Sequence, residues 1–89
     1  MNDEKAPGLT FPCRLPVKAM GRDDGEFAGI VSDLVRQHLA SETALDVRTR
    51  PSRNGRFISV TVTIEARDRA QVEAIYSDLN AHPKVLMVL

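Results

Sequence analysis

Between Phe57 and Ala66 every even position is apolar (Ile58, Val60, Val62, Ile64, Ala66), while the odd ones after Phe57 are Ser59, Thr61, Thr63 and Glu65. A two-residue period sends successive side chains to opposite faces, so this segment predicts a strand with one face on a core and the other open. The period changes upstream. Phe27, Ile30, Val31, Leu34 and His38 recur at three- and four-residue spacing, widened by Val35 and Leu39, which predicts an amphipathic helix ending near Ala40. Asp23 with Glu26 reads as a capping box opening it. A second helix follows Asp68 and Gln71, carries the stripe Val72, Ile75, Tyr76 and Leu79, and stops at His82-Pro83. Looser alternation predicts a first strand from Phe11 to Met20, with Leu15, Val17 and Ala19 on one face and Arg14, Pro16, Lys18 and Met20 on the other. Pro16 has no N–H to donate, so it is expected where that strand is unpaired or bulged. Leu45 to Pro51 alternates Leu45, Val47 and Thr49 against Asp46, Arg48 and Arg50, and Asn54-Gly55 signals the hairpin joining it to the Phe57 strand. Val85 to Leu89 predicts a last strand, with Val85, Met87 and Leu89 expected to face the helices and Leu86 and Val88 the open side.

The order β-α-β-β-α-β is the split-βαβ, ferredoxin-like pattern, an α+β sandwich. It implies a four-stranded antiparallel sheet in the order 4-1-3-2 with both helices on one face. The first and third strands are expected to be central and parallel to each other. Residues 1–10 mix polar and charged residues with one isolated Leu and read as a flexible tail; residues 11–89 form the single domain.

Composition narrows the function classes. An 89-residue chain that is 43% hydrophobic encloses one small core, with little left for a deep cavity, which weighs against a self-contained enzyme. The single cysteine, Cys13, has no partner for an internal disulfide, and the first ten residues lack the apolar run of a signal peptide, so a cytoplasmic setting is expected. No segment approaches the roughly 18 apolar residues of a membrane span. Net charge is zero, but Arg48, Arg50, Arg53 and Arg56 lie between Val47 and Ile64 with no acid among them. The chain is therefore dipolar. These guanidinium groups are candidates to converge on one anion or acidic partner, set against the simpler reading of a hairpin charged to prevent edge-to-edge aggregation.

Other candidate chemistry is thinner. Arg14 beside Cys13 could activate the thiol, but no resolving cysteine exists. His38 and His82 sit at helix C-terminal ends, where the helix dipole favours a cation, and neither belongs to a metal-ligand or nucleophile motif. No cofactor is expected. RNA-binding relatives of this topology stack bases on aromatics of the central strands, and here only Phe57 is available, so nucleic acid is not an expected partner. Leu86 and Val88 on an open face beside Met20 would favour a weak homodimer.

Three stretches, KAMG at 18–21, PSRNGRFISVTV at 51–62 and QVEAIYSDLNAHPKVLMVL at 71–89, together with their spacing, resemble the YbeD-like family of small bacterial proteins of uncharacterised function. Phe57 stands where that pattern leads one to expect Tyr. The family is similar in fold to ACT domains, regulatory modules that sense amino acids and related ligands. The resemblance implies a non-enzymatic, ACT-like regulatory or small-metabolite-binding module, with the ligand at the first strand-helix turn by Met20, Gly21 and Gly25. Asp23 and Asp24 there favour an amino group over an anion. The alternative is a protein-interaction adaptor that recognises an acidic partner through the hairpin arginines.

Overall fold

The computed structural model describes residues 9–40 and 43–89. Its elements run β1 (Cys13–Arg22), α1 (Phe27–Arg36), β2 (Asp46–Pro51), β3 (Phe57–Ala66), α2 (Arg69–Ala81) and β4 (Met87–Val88). The sheet order is β2-β3-β1-β4, the expected order read from the other edge. One expectation fails: β1 and β3 are neighbours but antiparallel. The crossover through α1 makes β1 and β2 co-directional, and the β2-β3 hairpin then reverses the strand that slots between them. The tail assigned to residues 1–10 lies outside the described residues up to 8; Phe11 packs against the core.

Parity along β1 and β3 divides the sheet into two unlike faces. Val17 and Ala19 from β1, with Val60, Val62, Ile64 and Ala66 from β3, are buried beneath Phe27, Val31 and Val35 of α1 and Val72, Ile75 and Leu79 of α2. Burying a side chain of this kind contributes about 1.5–3 kcal/mol, so this layer holds the domain together. Gln71 is the buried polar residue of that layer, and it is satisfied: its Nε2 donates to the His38 carbonyl at 2.8 Å and its Oε1 accepts the Arg67 N–H at 2.6 Å. It ties the turn that follows α1 to the start of α2, where Asp68 accepts the Gln71 N–H as a helix cap.

Both strand prolines stand where a missing N–H costs nothing. Lys18 and Met20 turn their carbonyls toward the β4 side, so Pro16, two residues before Lys18, faces the same side beyond the end of β4. β1 is continuous through Pro16, without a bulge. Since Ser52 bonds Phe57, the even residues of β2 pair with β3 and Pro51 points its backbone to the free edge.

The end of the chain departs from expectation. The Leu86 N–H donates to Met20 and the Leu89 N–H to Lys18, so carbonyls two residues apart on β1 take donors three residues apart. The terminal segment therefore carries one extra residue at Leu86–Met87, as a β-bulge does. Met87 pairs with Met20 and lies on the open face, whereas Val88 pairs with Ala19 and packs on the core with Val85. The assignment of Val88 to an open-face patch and of Met87 to the helix side is thus reversed. Leu86, 57% exposed, is outside as expected.

The first helix also differs at its ends. Asp24, rather than Asp23, caps it, its Oδ1 accepting the N–H groups of Glu26 and Phe27 at 2.9 and 3.1 Å. Regular helix stops at Arg36, after which His38 and Leu39 bond three residues back in a tighter turn.

Candidate functional site

Among the described residues no element covers the face of the sheet away from the helices, and strand register arranges it in rows. Lys18, Thr61 and Arg48 form one row; Met20, Ser59 and Arg50 form the next, extended by Met87. Strands stand about 4.8 Å apart, so the Lys18 and Arg48 backbones are roughly 10 Å apart, a span that their long side chains can close on one anionic surface. Around them lies a shallow hollow of about 250 Å³ lined by Lys18, Arg48, Thr49, Arg50, Ser59 and Thr61. A second, more open groove of about 510 Å³ runs from Met20 and Phe57 to Arg50 and Arg53. Arg50 belongs to both.

Further along the same face, Arg22 stacks over Phe57, 5.7 Å from the ring centroid. Arg14 pairs with Asp46 at 3.2 Å, and Arg48 reaches the same carboxylate at 3.4 Å. These pairs are exposed and contribute little to stability. The strand positions of this face thus present Arg14, Lys18, Arg22, Arg48 and Arg50 against Asp46 and Glu65.

The hairpin arginines do not all converge. Arg48 and Arg50 share the open face as expected and Arg53 joins Arg50 at the groove, while Arg56 lines neither hollow and offers its backbone carbonyl to the Asp23 N–H. The pattern of single strands does not reveal the cations of β1 as part of this site. Arg14 and Lys18 were on the polar parity of that strand, but only the β1-β3-β2 register makes them neighbours of the hairpin arginines.

The residues expected to bind a small ligand are not brought together. Met20 lines the open-face groove. Gly21 is buried on the other face, where an added Cβ would stand 2.4 Å from Phe27 Cε1 and 2.7 Å from the Lys84 carbonyl oxygen. Gly25 is exposed at the turn with φ +84°, the conformation that calls for glycine. Asp24 takes the first helix N–H groups and ion-pairs with Lys84 at 2.5 Å. The Lys84 ammonium, followed by the Glu26 N–H, holds the Asp24 carboxyl below its usual range, and Asp24 in turn raises Lys84. The Asp24–Lys84 pair occupies the helix N–H groups, and beside it Arg22, Pro83 and Leu86 complete a hollow of about 190 Å³ that neither Gly21 nor Gly25 lines.

Cys13 is half-buried at the head of β1 and packs on the core, while Arg14 points to the opposite face, away from the thiol. His38 Nε2 lies 2.6 Å from Asp78 Oδ2, and His82 Nδ1 accepts the Lys84 N–H. Among the described residues no group of three His, Cys, Asp or Glu side chains is placed to hold a metal ion. No helix of the described residues is long and apolar enough to cross a membrane.

Residues 6–89 match the model of a family described as protein of unknown function (DUF493). The chain belongs to this family. The DUF493 chain is 44% identical over 89 residues to a UPF0250 protein of Chromobacterium violaceum, covering all of both chains. It is 45% identical to a UPF0250 protein of Azotobacter vinelandii, covering 98% of this chain and 96% of that one. Its fold is similar to the solution structure of protein HP0495 from H. pylori, with a TM-score of 0.76 at 18% identity over 100% of this chain and 93% of that one. The YbeD-like resemblance and the ferredoxin-like fold both stand on these findings.

Proposed function

We propose that this DUF493 chain is a non-enzymatic cytoplasmic adaptor whose open sheet face meets an acidic protein surface. The observation that carries the reading is the row arrangement itself: Lys18, Arg48 and Arg50 converge from two strands that are not neighbours in the sheet, around polar Ser59 and Thr61. A shallow, wide, cationic surface suits several carboxylates spread over a partner better than one small enclosed ligand. Leu86 and Met87, 57% and 50% exposed beside Met20, supply the apolar contact that a purely electrostatic surface would lack. A second copy using that patch would give a weak homodimer, which sedimentation over a wide concentration range would reveal.

The second reading is a regulatory module for a small metabolite. The groove at Met20, Arg50, Arg53 and Phe57 favours it, since it joins a flat apolar wall to two guanidinium groups. Nucleic acid has less support because Phe57 is the one aromatic side chain on the four strands, too few for a base-stacking platform.

The deciding experiment is affinity capture from the source organism's extract with the wild type and with Arg48→Ser/Arg50→Ser, at low and high salt, identifying retained proteins and small molecules. Both positions are exposed, so the variant should fold normally. The expected result is an acidic protein retained by the wild type and lost both in the variant and at high salt. Equal retention in all arms would overturn the adaptor reading, and a retained metabolite without a protein would favour the second.

A further inference from the structure

The edge of the sheet at β2 says how such a partner would be held. Hydrogen bonding to β3 uses the even residues of β2, so the N–H and C=O groups of Val47 and Thr49 and the carbonyl of Pro51 point away from the sheet. Residues 47 to 51 are all exposed, and among the described residues no strand pairs with this edge. An unpaired strand edge is a template for another strand, and proteins ordinarily blunt it with charge or proline. Here the blunting is partial. Pro51 removes one donor at the end of the strand only, and the charges on its open face are two cations, Arg48 and Arg50, and one acid, Asp46, which is paired with Arg48 and Arg14.

That pattern selects the occupant. Two copies joined β2 to β2 would gather four arginines against two aspartates on a single face, beside Arg14 and Lys18 of each chain, and this excess of cations opposes self-pairing. An extended segment with acidic side chains at alternate positions has the opposite effect: its carboxylates would fall beside Arg48 and Arg50. The intervening side chains would turn to the helix side, where Val47 is 37% exposed. Resting on the acidic-partner reading above, we infer that the partner binds as an added fifth strand along β2, its backbone bonding Val47 and Thr49 and its acidic side chains meeting Arg48 and Arg50.

The test uses the full chain and two synthetic octapeptides of equal charge, one alternating Glu and Val, the other alternating Glu and Pro, which cannot donate to a ladder. Titration at low salt is combined with amide hydrogen exchange. The expected result is that the Glu-Val peptide binds roughly tenfold or more tightly than the Glu-Pro peptide, as several added backbone hydrogen bonds would give. It should also slow exchange at Val47 and Thr49, and Arg48→Glu/Arg50→Glu should abolish its binding. Equal binding of the two peptides, with no slowing at Val47 and Thr49, would overturn strand addition while leaving a charged docking face. If neither peptide binds at low salt, strand addition and the acidic-partner reading both fall.

Discussion

Gly21→Ala tests whether the strand-helix turn is a packed joint or a ligand cradle. Gly21 is the last core-facing position of β1, and a Cβ there would meet Phe27 Cε1 at 2.4 Å and the Lys84 carbonyl oxygen at 2.7 Å. Carbon atoms pack best at about 3.5–4.0 Å, so the overlap with the ring is more than about 1 Å. Neither obstacle is free to move aside. Phe27 is 2% exposed at the start of α1, and the Lys84 oxygen belongs to the backbone just before Leu86 docks on Met20.

Relief therefore requires shifting α1 or the terminal segment away from the sheet. Overpacking of this kind costs typically 1–3 kcal/mol, and two rigid neighbours place Gly21→Ala near the upper end, about 2–3 kcal/mol. For a domain of this size that lowers Tm by roughly 10–20 °C. Gly29→Ala is the internal control. Gly29 is exposed within α1 and an added Cβ meets nothing within 4 Å, so the change should stabilise by about 0.5–1 kcal/mol. Urea unfolding followed by circular dichroism, with no ligand present, reads both signs. If Gly21→Ala unfolds within about 0.5 kcal/mol of wild type, the joint is not packed as described, and a role for Gly21 in ligand access would return.

Two further outcomes follow from the turn and the chain end. Asp24 is held below its unfolded value by Lys84, so its contribution is present above about pH 4 and is lost as pH falls through the lowered folded value; that of Lys84 is present below about pH 10 and lost as pH rises through its raised one. Asp24→Asn keeps the cap acceptor and removes the charge, so its urea midpoint should lie below wild type at pH 6 and approach it toward pH 2; a constant gap would exclude the ion pair as the cause. Met87→Lys should be tolerated within about 0.5 kcal/mol, whereas Val88→Lys, opposite Ala19 and against the core, should cost about 1–3 kcal/mol. The reverse ranking by denaturant unfolding would restore the parity expected from the sequence.

What could be read from the sequence depended on whether a segment carried a period of its own. β3 alternates from Ile58 onward, and its observed bounds and faces are those expected. The cap at Asp68 and the Asn54-Gly55 hairpin, with Gly55 at φ +74°, are local chemistry and were equally plain. Val85 to Leu89 is apolar at every position, so no alternation marks its faces; they are set by the Met20 and Lys18 carbonyls and the extra residue between their donors. Adjacent Asp23 and Asp24 satisfy the same capping pattern within one residue, and only the path of the backbone selects Asp24. The open face lay beyond local pattern for a different reason. Its hairpin half is dense in sequence and was visible as a run of arginines, but Lys18 is one cation on a strand thirty residues away from Arg48. Alternation in β1 put Lys18 on the polar side, and alternation in β2 did the same for Arg48. What neither segment contains is the register that sets both beside Thr61. Where function is assembled from such rows, face assignments for single strands identify the contributors, and pairing alone shows which of them can act on the same partner.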